Sequence, residues 1–212
     1  MVYRQLGLLI TACCLAAAGQ PHTAAAEPES DQASAAGLVD VRTVVPDAVI
    51  DLRYATTNNF VGVQLYPAAA RCLVHQSLAP GLATAAARLR EGGEVLVFWD
   101  CYRPHEVQVR MFEQVPDPAW VARPGPYARS HTAGRSVDVT IAGVDMGTDF
   151  DDFSPHATAY ATEGVTDSAQ ANRARLREAM EAGGFTVYPG EWWHFDGPDA
   201  AVERPILDVP LA

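Results

Sequence analysis

Residues 136–141 read SVDVTI, and the aspartate inside that run is the tightest constraint on what the chain can become. β-branched content and length argue for a strand. Alternation puts Val137 and Val139 on one face and Asp138 on the other. A carboxylate carried into an apolar strand without a partner is costly. The fold must therefore bring a cation or donors to Asp138 from elsewhere in the chain. His131 stands just upstream, with Gly134 between them free to take a backbone conformation other residues avoid.

A later segment supplies more of the set. Glu191-Trp192-Trp193-His194 offers one imidazole and one carboxylate beside two bulky aromatics expected to wall off a pocket. Two histidines, one carboxylate and an open position are the pattern of catalytic zinc. This predicts one Zn2+ per chain on His131, Asp138 and His194. Glu191 is then close enough to activate a water and pass its proton to a leaving amine. Asp100-Cys101-Tyr102-Arg103-Pro104 leaves the end of another buried strand. A fixed Arg103 cation there suits stabilisation of an oxyanion. Each piece alone is ordinary, since single histidines and tryptophans are mostly structural. His75, His105 and His156 show no paired ligand spacing and are read as structural.

The rest of the chain reads as one α+β domain. Glu94–Asp100 (EVLVFWD) is a buried strand, and AVIDLRY, ending at Tyr54, is strand-like. Amphipathic helices are expected after Pro80-Gly81, after Pro104 and over Ala169–Ala182; Gly92-Gly93 and Gly183-Gly184 close the first and last. Phe185–Tyr188 and Trp192–Phe195 suit a closing hairpin around Pro189-Gly190. Elements mix without a βαβ rhythm, so a central, mostly antiparallel sheet flanked by helices is expected.

The chain has 212 residues, a formal net charge of −11 and no lysine. Such an acid-rich surface opposes nucleic-acid binding. Arg4, the apolar run Leu6–Ala18 and Ala24-Ala25-Ala26 read as a signal peptide over residues 1–26. A lipoprotein signal ending before Cys13, with a lipid anchor there, is the alternative. Either way the mature domain is exported, to the periplasm or cell envelope, and no transmembrane span is expected in it. Residues 27–37 read as a flexible leader and 38–212 as the domain. The domain keeps Cys72 and Cys101, an even count for an oxidising compartment. A disulfide between them is expected over two free thiols, and no spacing supports zinc on the pair.

Taken together, these segments resemble the bacterial D-alanyl-D-alanine dipeptidases, zinc D,D-peptidases that include the vancomycin-resistance dipeptidases. That family shows S-x-H-x-x-G-x-A-x-D, E-W-W-H, D-x-Y-R-P and Y-A-T-x-x-N-F. The counterparts here are His131 to Asp138, Glu191 to His194, Asp100 to Pro104 and Tyr54 to Phe60. The resemblance implies a Hedgehog/D,D-peptidase-like fold and hydrolysis of a small dipeptide to free D-alanine. Stem-peptide D,D-carboxypeptidase activity and a non-catalytic wall-binding module are the alternatives. It implies zinc on His131, Asp138 and His194, Glu191 as general base and Arg103 as transition-state stabiliser. It also implies ammonium contacts from Tyr54 and from Asp151, in Met146-Gly147-Thr148-Asp149-Phe150-Asp151, and a carboxylate contact from Ser130. Two positions depart from the pattern. Arg129 stands for the family's serine, and Ser136 for its alanine.

Overall fold

The computed structural model describes residues 1–2 and 29–212. The signal peptide and Cys13 readings lie outside the described residues, apart from Met1 and Val2. Among the described residues no helix is long and apolar enough to cross a membrane. The elements run α1 (Glu29–Ala35), β1 (Leu38–Asp40), α2 (Val41–Val44), β2 (Val49–Ile50), β3 (Leu73–His75), α3 (Ala79–Arg90), β4 (Leu96–Asp100), α4 (His105–Gln114), β5 (Ser136–Ile141), α5 (Asp167–Ala182), β6 (Thr186–Val187) and β7 (His194–Asp196).

The main sheet has the order β2-β4-β5-β7-β6, and β1 pairs with β3 in a small second sheet. Only the β2–β4 pairing in the main sheet is parallel. The order puts β5 at the centre, where both β4 and β5 are buried along their whole length. Central position explains their apolar composition, because both faces are covered.

Two readings change. AVIDLRY forms a strand only at Val49–Ile50, then turns into a short 3-10 helix at Arg53–Ala55 that buries Tyr54. Part of the segment expected as a flexible leader is helix α1, whose Ala33 is buried in the core. One small apolar residue in a polar stretch leaves little periodic signal to read.

Helices α3 and α5 pack against each other. On α3, Leu82, Ala85, Ala86 and Leu89 form the buried stripe. The close point lies between Gly81 and Gly183. A Cβ on Gly81 would sit 2.2 Å from the Gly183 carbonyl oxygen and 2.9 Å from Phe185 Cε2. Neither can yield cheaply, because one is backbone and the other a buried ring. Gly81→Ala is expected to destabilise the domain by about 1–3 kcal/mol. Urea unfolding checks it: the midpoint falls while the slope stays constant.

Candidate active site

Three neighbouring strands set the floor of the site. Register places Asp100 of β4 opposite Asp138 of β5, and Asp138 opposite His194 of β7. Residues directly opposite in a ladder share a face. An irregularity between Phe98 and Asp100 shifts the register at the end of β4, where Asp100 meets Asp138. His131 comes from a 3-10 turn, Ser130–Ala133, closed by Gly134 at φ 64°. A side chain at Gly134 would be strained there, and its Cβ would lie 2.8 Å from Leu38 Cδ2.

His131 Nε2, His194 Nδ1 and Asp138 Oδ1 converge, with separations of 3.1, 3.2 and 3.0 Å. The opposite nitrogen of each ring is committed. His131 Nδ1–H donates to the Cys101 carbonyl at 2.8 Å, and His194 Nε2–H donates to Asp196 Oδ1 at 3.1 Å. These bonds leave a bare lone pair on each inward nitrogen. Two lone pairs and a carboxylate oxygen at such distances repel unless a cation lies among them. Zinc bonds of about 2.0–2.1 Å in a tetrahedron would set donors about 3.3 Å apart, close to this triangle. The donor set fits zinc. Among the described residues it is the one cluster of its kind.

Burial opposes charge on His194, but its hydrogen bonds to Asp138 and Asp196 outweigh burial and raise its pKa well above the usual value. Burial likewise opposes ionisation of Asp138, and His131 and His194 outweigh it. Metal binding at such donors competes with protons, because the ligating forms are the neutral imidazole and the carboxylate.

Glu191 Oε2 lies 3.9 Å from His194 Nδ1, beside the donor triangle and outside it. Burial pushes its carboxyl up to about 7, with Asp138 adding to the shift and His194 pulling against it. Arg103 is buried and locked. Its Nε and Nη2 donate to Asp100 Oδ2 at 3.0 and 2.7 Å, and Nη1 donates to Gln108 Oε1 at 2.7 Å. Asp100 is held in turn by the Tyr66 hydroxyl at 2.7 Å and the Cys101 amide at 2.9 Å. The Tyr54 hydroxyl donates to both oxygens of Asp151 at 3.2 Å. Asp151 holds φ 58°, an uncommon conformation for a non-glycine residue. Burial raises its pKa well above normal, and the nearby Asp138 and Glu191 charges add to this.

Tyr54, Arg103, Gln108, His131, Asp138, Asp151, Glu191 and His194 line one cleft of about 420 Å³. Of the two tryptophans only Trp193 reaches its wall; Trp192 packs on Trp99 and donates to Thr148. Ser130 also lines the cleft, but its hydroxyl donates to Ser136 Oγ at 2.8 Å, and Ser136 donates to Asp196. Arg129 is exposed at the cleft with its guanidinium over the Tyr127 ring. Cys72 and Cys101 sit side by side, with Cα atoms 5.3 Å apart. Reading the sequence alone missed Asp196, Gln108 and Tyr66. Asp196 carried a signal, since it lies two residues beyond His194 on the same face of a strand.

A family model described as D-ala-D-ala dipeptidase matches residues 34–212. The chain belongs to this family. The D-alanyl-D-alanine dipeptidase of Escherichia coli is 36% identical over 169 residues, covering 77% of this chain and 86% of the relative. The dipeptidase of Enterococcus faecium is 31% identical, covering 76% of this chain and 91% of the relative. A solved zinc complex of a vancomycin-resistance D,D-pentapeptidase overlays 59% of this chain and 72% of its own, with a TM-score of 0.41 and 18% identity. The dipeptidase-family motifs thus converge on one cleft: the metal donors, Glu191, Arg103 and the Tyr54–Asp151 pair all face it.

Proposed function

We propose that the protein hydrolyses D-alanyl-D-alanine to free D-alanine, with zinc held by His131, Asp138 and His194. The donor triangle, with both ring tautomers fixed from behind, carries this reading. When bound there, zinc supplies Lewis acidity, lowering the pKa of water and polarising a carbonyl. The chain's own residues do the rest. Glu191 takes the proton of the attacking water on its carboxylate and returns it to the leaving amine. Arg103, immobilised by Asp100 and Gln108, presents its cation to the oxyanion without reorganising. Asp151 and Tyr54 hold the substrate ammonium, which is what a carboxylate among other acids favours.

The test is purified protein with D-alanyl-D-alanine and, separately, a pentapeptide ending in the same pair, each with and without chelator. Chelator-sensitive release of D-alanine from the dipeptide is expected. Cleavage of the pentapeptide alone would replace this reading with a carboxypeptidase. The Glu191 role also sets a pH dependence. A base works only when ionised, so kcat/KM rises as pH climbs through its pKa. The acid limb is expected at or below pH about 7, since a bound cation favours the carboxylate. A profile measured at saturating zinc checks it, and an activity that rises as pH falls would remove Glu191 from the base role.

We further infer that Cys72 and Cys101 form a disulfide in an exported protein, which labelling of free thiols with and without reductant decides. The pairing would brace the Cys101 carbonyl that orients His131.

A further inference from the structure

Asp151 lies in the segment that leaves the sheet after β5 and returns at α5. A segment of this kind holds a side chain in place only if a rigid neighbour fixes it. That neighbour is Arg173, on α5 and 3% exposed. Its Nε donates to the Met146 carbonyl at 2.7 Å, ahead of Asp151. Its Nη1 donates to the His156 carbonyl at 2.9 Å and to that of Thr158 at 3.3 Å, both beyond Asp151. One guanidinium therefore grips both ends of the segment. Its Nη2 donates at 3.4 Å to the Thr148 hydroxyl, which also accepts from Trp192 Nε1 at 2.8 Å. The guanidinium lies over the Trp192 ring, 5.3 Å from the centroid, and the Trp192 amide donates to the Ala157 carbonyl at 3.0 Å. The segment is thus fastened to the strip that carries Glu191 as well as to α5.

The hydrogen-bond partners of Arg173 are carbonyls and one hydroxyl. Burying a cation against such partners is costly, and tying a helix to a loop needs no charge. What the guanidinium supplies is a planar fork whose N–H groups reach both ends of the segment at once. Phe150, next to Asp151, packs on Trp99, Trp193 and Tyr54. Burial of that ring is non-directional, whereas the bonds from Arg173 to the carbonyls fix an orientation. We propose that Arg173 is a positioning residue for substrate binding: by clasping residues 146–158 at their base, it sets the Asp151 carboxylate where the dipeptide ammonium arrives. The inference rests on the dipeptidase reading and on its ammonium site.

The experiment uses the zinc-loaded protein with D-alanyl-D-alanine and with N-propionyl-D-alanine, the same skeleton without the amine. Arg173→Gln, Arg173→Lys, Asp151→Asn and the double variant Asp151→Asn/Arg173→Gln are compared with the wild type. Turnover gives KM and kcat for the dipeptide, and calorimetry in a Glu191→Ala background gives the affinity for both ligands. Arg173→Gln should raise KM for the dipeptide about 10-fold, the scale of a slightly misplaced group, while kcat, zinc content and affinity for the propionyl compound hold. Arg173→Lys keeps the charge but lacks the fork, so it should follow Arg173→Gln. The double variant should bind the dipeptide no more weakly than Asp151→Asn, because a misplaced carboxylate and a missing one are the same loss. An arginine that only stabilised the fold would weaken both ligands alike and add its loss to that of Asp151→Asn. If the Arg173 variants fail to fold, Thr148→Val removes one arm of the clasp and should raise KM for the dipeptide about 3-fold, with the propionyl compound unaffected. Unchanged discrimination between the two ligands, or additive losses, overturns the assignment. An Asp151→Asn variant that keeps the wild-type preference overturns the ammonium site, and a wild type that retains zinc but leaves the dipeptide intact overturns the dipeptidase reading; this inference falls with either.

Discussion

Glu191→Ala is expected to lower kcat by about 10³- to 10⁴-fold while the protein still holds its zinc. The two halves of that result come from different features. Glu191 stands 3.9 Å from His194 Nδ1 and outside the donor triangle, so its removal leaves all three metal donors in place. Its carboxyl is buried and its pKa is pushed toward neutrality, which matches a proton acceptor working near pH 7. Turnover with D-alanyl-D-alanine and zinc content by atomic absorption, on one preparation, measure both. Loss of zinc along with activity would make Glu191 a ligand. Near-normal turnover would mean that another group moves the proton.

Asp138→Ala is expected to abolish both zinc retention and the stabilisation zinc brings. In the wild type, zinc at about 1,000 times its Kd would stabilise the folded state by about 4 kcal/mol. For a domain of this size that is a rise in Tm of about 10 °C. The variant should melt at the same temperature with zinc or with chelator. Without the carboxylate, His131 Nε2 and His194 Nδ1 still face each other at 3.1 Å, but two neutral nitrogens bind a divalent cation poorly. A zinc-dependent Tm in Asp138→Ala would show that the ion sits elsewhere. Differential scanning calorimetry at fixed pH decides it, because proton release couples to metal uptake.

Legibility in the sequence followed the range of the interactions. Strand β5 was read to the residue because its pattern is local: six consecutive residues of which only one is charged. Helices α3, α4 and α5 were readable from their stripes and from the prolines and glycines near their ends. The metal donors were readable because an aspartate in such a strand demands a cation. Strand β2 was overextended, since Tyr54 is buried by a 3-10 turn that its apolar neighbours do not announce. The brace around Arg103 joins Tyr66, Asp100 and Gln108, which no spacing rule connects. Asp100 ends β4 and Gln108 lies on α4, while Tyr66 comes from a loop and its amide donates to the Tyr54 carbonyl at 2.8 Å, so only the tertiary fold brings them together. The same holds for Ser136, a small residue in a strand whose hydroxyl matters only once Asp196 lies across from it.

The pairing of β5 with β7 has a consequence of its own. Asp138 meets His194 only in the register observed, with Val137 facing Phe195 and Ser136 facing Asp196. A slip of one residue would exchange His194 for a phenylalanine or a tryptophan and turn the imidazole to the other face. Zinc could then be captured only by molecules whose last strand has docked correctly. The ion would act as an inspector of assembly: occupancy per chain would count the molecules that finished folding, and misregistered ones would be left unfastened for proteases to clear.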